Sequence, residues 1–252
     1  MIEVKNVNKS FESNHVLKDI SAVFETGKTN MIIGGSGSGK TVLMKSIIGL
    51  HRIDSGSIEY DGRNLPDMYM KKIRILRREV GMLFQGSALF DSLSVLENVM
   101  YPLEMFSETS KEEMIERARF CLKHVNLEEK AFDLAPSEIS GGMQKRVAIA
   151  RAIALQPKYL FCDEPNSGLD PKTSLIIDQL VSDITHEFDI TTIINSHDMN
   201  SVMEIGENII FIEKGIKAWQ GNKDDIFHVD NEHLNNFVFA SELFKQVKKV
   251  KQ

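Results

Sequence analysis

An apolar run from Thr29 to Ile33 passes without a break into Gly34-Gly35-Ser36-Gly37-Ser38-Gly39-Lys40-Thr41, and a helix-like stretch from Val42 to Ile48 follows at once. A strand, a glycine-rich turn ending in Lys-Thr and a helix, in that order, are the pattern of a phosphate-binding loop. Glycines let successive backbone N–H groups turn inward around an anion, and the N-terminus of the next helix adds partial positive charge. Lys40 brings a mobile ammonium for the transferred phosphoryl group, and Thr41 brings a hydroxyl for Mg²⁺. A plain glycine turn would account for neither residue. The loop predicts nucleotide binding, and it leaves ATPase, GTPase and small-molecule kinase chemistries open.

The rest of the chain narrows the setting. With 252 residues, 42% of them hydrophobic, it can bury a substantial core as one domain or a domain with a subdomain. No uninterrupted 18-residue apolar stretch is present, so no membrane span is expected and any membrane role must come through a partner. Residues Met1 to Val7 alternate like a strand and carry Glu3 and Lys5, which is not the pattern of a signal peptide, and a cytosolic chain is expected. Cys121 and Cys162 form no CxxC pair and suit a reducing compartment. The formal net charge of -6, from 30 basic and 36 acidic residues, gives no general electrostatic case for nucleic acid. The basic tail Lys245 to Lys251 reads as a solvated helix end.

Along the chain, Ile2 to Val7, Val16 to Phe24 and Ser57 to Tyr60 read as strands broken by Gly27, Gly56 and Gly62, a small β-rich layer beside the nucleotide core. Val80 to Phe84 reads as a further strand ending at Gln85. From Val95 to Val125 the pattern is helical, with a polar break between Ser107 and Lys111. A parallel core resumes with Tyr159 to Cys162, Ile190 to Asn195 and Ile209 to Glu213, alternating with helices Pro171 to Glu187 and Met199 to Glu204. The expected organisation is an α/β ATPase domain over residues 1–221 with an inserted helical subdomain over about 87–157. A helical extension is expected over 222–252.

A second chemical element stands at Leu160-Phe161-Cys162-Asp163-Glu164, an apolar strand ending in two carboxylates. Asp163 is placed to hold Mg²⁺ through water, and Glu164 to orient or deprotonate the attacking water. Three further segments complete a recognisable set: Ser137-Glu138-Ile139-Ser140-Gly141-Gly142-Met143-Gln144 before Lys145-Arg146, then Asp163-Glu164-Pro165 with Ser167-Gly168-Leu169-Asp170, then Ser196-His197-Asp198. In order and spacing they resemble the signature, Walker B with D-loop, and switch histidine of ATP-binding cassette (ABC) ATPases, a resemblance covering Met1 to about Gly221.

That resemblance implies ATP and Mg²⁺ as cofactors and a P-loop core with an antiparallel β subdomain and an inserted helical subdomain. Phe11 becomes the platform for adenine, and Gln85 the residue that meets Mg²⁺ or water. Ser140, Gly141 and Gly142 become a cradle for the γ-phosphate held by an opposite subunit, Asp170 an organiser of the seam, and His197 a γ-phosphate contact linked to Glu164. Two anion cradles in one chain, at the P-loop and at Ser140-Gly141-Gly142, make physical sense in a head-to-tail homodimer. Departures from the common pattern are Ile139 and Met143 in the signature and Asn166 after Glu164-Pro165, and none removes a phosphate donor or a catalytic charge.

The segment Met82 to Val95, together with the Ser-Gly-Gly-Met signature, also resembles the ATPases of bacterial phospholipid transporters that maintain outer-membrane lipid asymmetry. It implies a motor at the cytoplasmic face of the inner membrane, held there by a multispan permease docked on Gln85 to Leu93 and working with an MCE-domain lipid-binding protein. The apolar residues Ala88-Leu89-Phe90 offer a groove for a coupling helix. The competing class is a non-transport ABC ATPase in iron–sulfur assembly or cell-division signalling, which would share every ATP-site residue.

Overall fold

The structure, a computed structural model, describes residues 1–240, 245, 246 and 248. Strands β1 (Ile2–Phe11), β2 (Asn14–Phe24) and β3 (Thr29–Ile33) precede helix α1 (Lys40–Ile47), then β4 (Ser55–Tyr60), β5 (Arg63–Asn64), α2 (Met70–Arg78) and β6 (Val80–Leu83). Helices α3 (Val95–Phe106), α4 (Lys111–His124) and α5 (Gly141–Ile153) follow, then β7 (Tyr159–Asp163), α6 (Pro171–Glu187), β8 (Thr191–Asn195), α7 (Met199–Ile205), β9 (Asn208–Glu213), β10 (Ile216–Gly221) and α8 (Glu232–Val238). They divide into two compact units, residues 1–71 with 191–252, and residues 72–190.

The first unit contains an antiparallel sheet in the order β2-β1-β4-β5. β1 runs four residues beyond the Val7 boundary expected from alternation, because a bulge at Asn6, with φ 51°, resets the inward face between Val4 and Val7. Its polar end stays paired although it reads like a loop, Lys9 and Ser10 with β2 and Asn8 with Ser55 of β4. In the same unit β3 lies between β8 and β9, parallel to both, and β10 pairs antiparallel with β9. Every residue of β3 and β8 is buried, which is why these strands read as runs rather than alternations. The buried Asn30 is satisfied by donating to the carbonyls of Glu25, Lys28 and Thr192, and its side-chain oxygen accepts from Asn208.

In the second unit β6 and β7 pair in parallel, Val80 opposite Tyr159 through Leu83 opposite Cys162. The expected break between two helices is real. α3 begins in a capping box of Ser94 with Glu97, and α4 in a second box of Ser110 with Glu113. Val99, Leu103, Ala118, Cys121, Leu122, Val147 and Ile149 line the interior of this helical group, each large apolar side chain contributing about 1.5–3 kcal/mol of burial. Arg117 fastens α4 to α5 by donating to the carbonyls of Ile153 and Ala154 at 2.9 and 3.0 Å.

The extension over 222–252 contains α8, whose Leu234 and Val238 are buried. Residues 241–244, 247 and 249–252 lie outside the described residues, and the basic-tail expectation falls partly on them. No described helix is long and apolar enough to cross a membrane.

Candidate nucleotide and hydrolytic site

In the first unit the phosphate loop springs from the end of β3. Gly34 has φ 148°, and a Cβ there would run into the Ile212 carbonyl of β9, so the chain can turn at this point only with glycine. Gly35, Ser36 and Gly37 are exposed at the crest, whereas Ser38, Gly39 and Lys40 are buried. The Lys40 ammonium donates to the carbonyls of Gly34 at 2.7 Å and Gly35 at 3.0 Å, which folds it back over the loop. Ser38 keeps a buried hydroxyl that has no hydrogen-bond partner among the described residues. The first turn of α1 carries no acidic residue, so its positive end is not neutralised, and Thr41 stands exposed there. An orphaned hydroxyl, a loop-bound ammonium and an uncompensated helix end form a set of groups that fits a phosphate chain.

Two more predicted residues stand in this unit. Phe11, at the end of β1, leaves 41% of its surface exposed, with Lys9 5.1 Å above its ring and His51 edge-on at 5.2 Å. A half-exposed aromatic of this kind can take a stacked base. His197 is exposed between the buried Ser196 and Asp198, which caps α7 by accepting from Asn200 N–H at 2.9 Å. It is a loop residue and not a core histidine.

The second unit carries the carboxylates. β7 delivers Asp163 and then Glu164, which adopts φ 49°, the left-handed region that a non-glycine residue enters only under restraint. The restraint is visible: Gln85 Nε2 donates to Glu164 Oε2 at 2.8 Å and approaches Ser167 Oγ at 3.4 Å, while Ser167 N–H donates to the Glu164 carbonyl at 3.1 Å. Gln85 and Glu164, 79 positions apart in sequence, are therefore direct partners. Within this unit Gln85 and Asp163 offer an amide oxygen and a carboxylate, hard-oxygen donors of the kind Mg²⁺ takes.

Ser140 caps α5 by accepting from Met143 N–H at 3.3 Å, with Ser140 and Gly141 exposed. A Cβ on Gly142 would sit 2.8 Å from Thr173 Cγ2, so glycine is also a packing requirement there. Asp170 caps α6, accepting from the N–H groups of Lys172 and Thr173, both at 3.1 Å. The Thr173 hydroxyl and these amides hold its carboxyl below the usual carboxylate range. Asn166, the departure from threonine, is buried and donates to Asp178 of α6 at 3.2 Å.

Sequence reasoning passed over the residues that hold the loop after β6. Lys145 of α5, only 5% exposed, donates to the Gln85 carbonyl. Arg151, two turns further on, donates to the carbonyls of Ser87 and Ala88, both at 2.8 Å, where the backbone is again left-handed with φ 61° and 48°. Asn98 of α3, fully buried, accepts from Phe90 N–H and donates to the carbonyls of Phe90, Leu93 and Ser94. One signal was available: position 145 shares a helical face with the buried Ile149 and Ala152.

Fold and site together define a P-loop ATPase with a separate helical group and a signature helix. The ABC transporter family pattern matches residues 17–167. A methionine import ATP-binding protein of Clostridium acetobutylicum is 38% identical over 242 residues, 96% of this chain and 75% of that protein. The corresponding protein of Clostridioides difficile is 39% identical over 238 residues, 94% of this chain and 74% of its own. Among solved structures, a dimeric post-hydrolysis cassette bound to ADP and Pi is 33% identical with a TM-score of 0.80, over 88% of this chain and 99% of that one. CbiO1 from Clostridium perfringens, part of an ABC transporter complex, superposes with a TM-score of 0.84 at 29% identity, over 99% of this chain and 97% of that one. The chain belongs to the ABC transporter ATPase family. It is an ATPase that uses ATP with Mg²⁺, on the ABC nucleotide-binding fold, and a cytoplasmic subunit of a transporter.

These relatives correct the cargo expectation. The phospholipid-transport assignment, its MCE-domain partner and the iron–sulfur or cell-division alternative give way, since methionine import proteins match over nearly the whole chain whereas the lipid resemblance rested mainly on Met82 to Val95. The physical reason is local. The backbone of Ser87, Ala88 and Phe90 in that segment is held by Arg151 and Asn98 of the same chain, contacts that serve the shape of the loop and carry no information about cargo.

Proposed function

We propose that this chain is the ATP-hydrolysing subunit of a membrane importer for methionine, working as a head-to-tail pair beneath a permease at the cytoplasmic face of the membrane. The supporting observation is the 38% identity to a methionine import ATP-binding protein across 96% of the chain. In this reading the P-loop from Gly34 to Thr41 and Phe11 hold the nucleotide. Asp163, Thr41 and Gln85 hold Mg²⁺, which when bound neutralises charge on the β- and γ-phosphates. Glu164, steadied by Gln85, takes the proton of the attacking water, and His197 contacts the γ-phosphate. Ser140, Gly141 and Gly142 at the exposed start of α5 meet the γ-phosphate of the opposite subunit, with Asp170 at the seam. ATP is thereby part of the subunit interface, and hydrolysis loosens it.

The exposed Phe84 and Phe90, with the Tyr101 ring 4.6 Å from Phe90, give the permease an apolar contact next to Gln85. The test is uptake of labelled methionine into membrane vesicles carrying this chain and its permease. ATP-dependent accumulation that unlabelled methionine competes away supports the reading. Vesicles that hydrolyse ATP without accumulating methionine would overturn it.

A further inference from the structure

We infer that Lys145 is a positioning residue for hydrolysis: from the signature helix it holds the Gln85 peptide in the orientation that keeps the Gln85 side chain on Glu164. The inference rests on the proposed roles of Gln85 and Glu164 and adds a residue to them. Lys145 is 5% exposed within a helix whose buried neighbours Val147, Ile149 and Ala150 are apolar. Placing an ammonium there is costly, and an apolar side chain of similar length would fill the volume at less cost, so stability alone does not call for lysine at this place.

What lysine supplies is a donor to the Gln85 carbonyl. Gln85 and both neighbours are exposed, and the Phe84 and Gly86 carbonyls accept from the N–H groups of Ser87 and Ala88 at 3.0 and 2.7 Å, whereas the Gln85 carbonyl between them is held from α5 by Lys145. The Gln85 side-chain amide has to meet Glu164 Oε2 at 2.8 Å. With the carbonyl clamped, the peptide plane is set and the amide is aimed. Arg151 holds the Ser87 and Ala88 carbonyls, two and three residues on, so loss of Lys145 leaves the loop docked while the Gln85 peptide can turn. Burial pulls the Lys145 amine below its ordinary range, and the neighbouring Cys162 and Glu164 act in the opposite sense, consistent with an ammonium set close to the Glu164 carboxylate.

The test is a double-mutant cycle on the purified full chain, reading steady-state ATP hydrolysis for Lys145→Met, Gln85→Ala and the double variant, with Lys145→Arg as the conservative control. The expected result is a fall in kcat of roughly 10- to 100-fold for Lys145→Met, with KM for ATP unchanged within about twofold. Lys145→Met should add less than about twofold once Gln85 is alanine, and Lys145→Arg should recover most of kcat. An undiminished kcat in Lys145→Met, or a loss of the same size in both backgrounds, overturns the inference. Should Lys145→Met fail to fold, Lys145→Gln is carried through the same cycle and judged by the same outcomes. A normal kcat in Gln85→Ala would instead overturn the role given to Gln85, which separates the two failures.

Discussion

A lysine that donates to two carbonyls of its own loop, as Lys40 does to Gly34 and Gly35, is held where phosphate arrives and needs little reordering to meet it. Charge-assisted hydrogen bonds contribute about 1.5–3 kcal/mol each, so Lys40→Ala should weaken Mg-ATP binding by roughly 10- to 100-fold in a calorimetric titration. Unchanged affinity would remove Lys40 from the site. At Cys121 a different effect operates, since burial in the helical group pushes its thiol up from 9.0 to about 11. A raised folded-state value means stability that is fully present below pH 9.0 and is lost as pH climbs toward about 11. Thermal unfolding of wild type and Cys121→Ala should therefore converge in difference across that window, with the wild type losing more; parallel curves would contradict the assignment. The P-loop, the Asp163-Glu164 pair and the signature were legible because their chemistry sits in consecutive residues. The links from Lys145 to Gln85 and from Asn166 to Asp178 were not, because each joins positions whose proximity exists only after folding.

Among the elements, α3 matters beyond its apolar face. Its buried Asn98 replaces secondary structure for the loop it faces, making four hydrogen bonds to backbone groups of Phe90, Leu93 and Ser94. Asn98→Ala leaves the Phe90 N–H and these carbonyls in need of other partners and should cost roughly 1–3 kcal/mol, seen as a lowered Tm. Protection of the Phe90 amide against hydrogen exchange should fall with it. Wild-type Tm and protection would show that water satisfies the loop equally well. The α3 and α4 region was readable from its helical pattern and the polar break between Ser107 and Lys111, and the structure adds a serine three positions before a glutamate at each helix start, Ser94 and Ser110. Helix α2 was not read, because Ile73 and Leu76 alone face inward among Lys71, Lys72, Arg74, Arg77 and Arg78. β10 escaped too, since its residues are at most half-buried and carry no strong alternation.

For the whole molecule, the catalytic design and the cargo belong to different layers of information. ATP chemistry was read from a few motif residues, and the fold class followed from their order. Cargo was not, and the segment Met82 to Val95 misled because it is a short loop whose backbone is held by Asn98 and Arg151 to serve the ATP site. Relatives that match over 94% and 96% of this chain weigh more than one loop. The most direct measurement of the central claim uses Glu164→Gln with radiolabelled Mg-ATP, following both the mass of the complex by light scattering and the state of the trapped nucleotide. Glutamine keeps the shape and contacts of Glu164 and loses the base, so turnover should fall by about 10²- to 10⁴-fold. The variant should accumulate as a dimer holding uncleaved ATP, while wild type releases phosphate and returns to the lower mass. Hydrolysis at the wild-type rate, or an ATP-loaded variant that stays at monomer mass, would contradict the account.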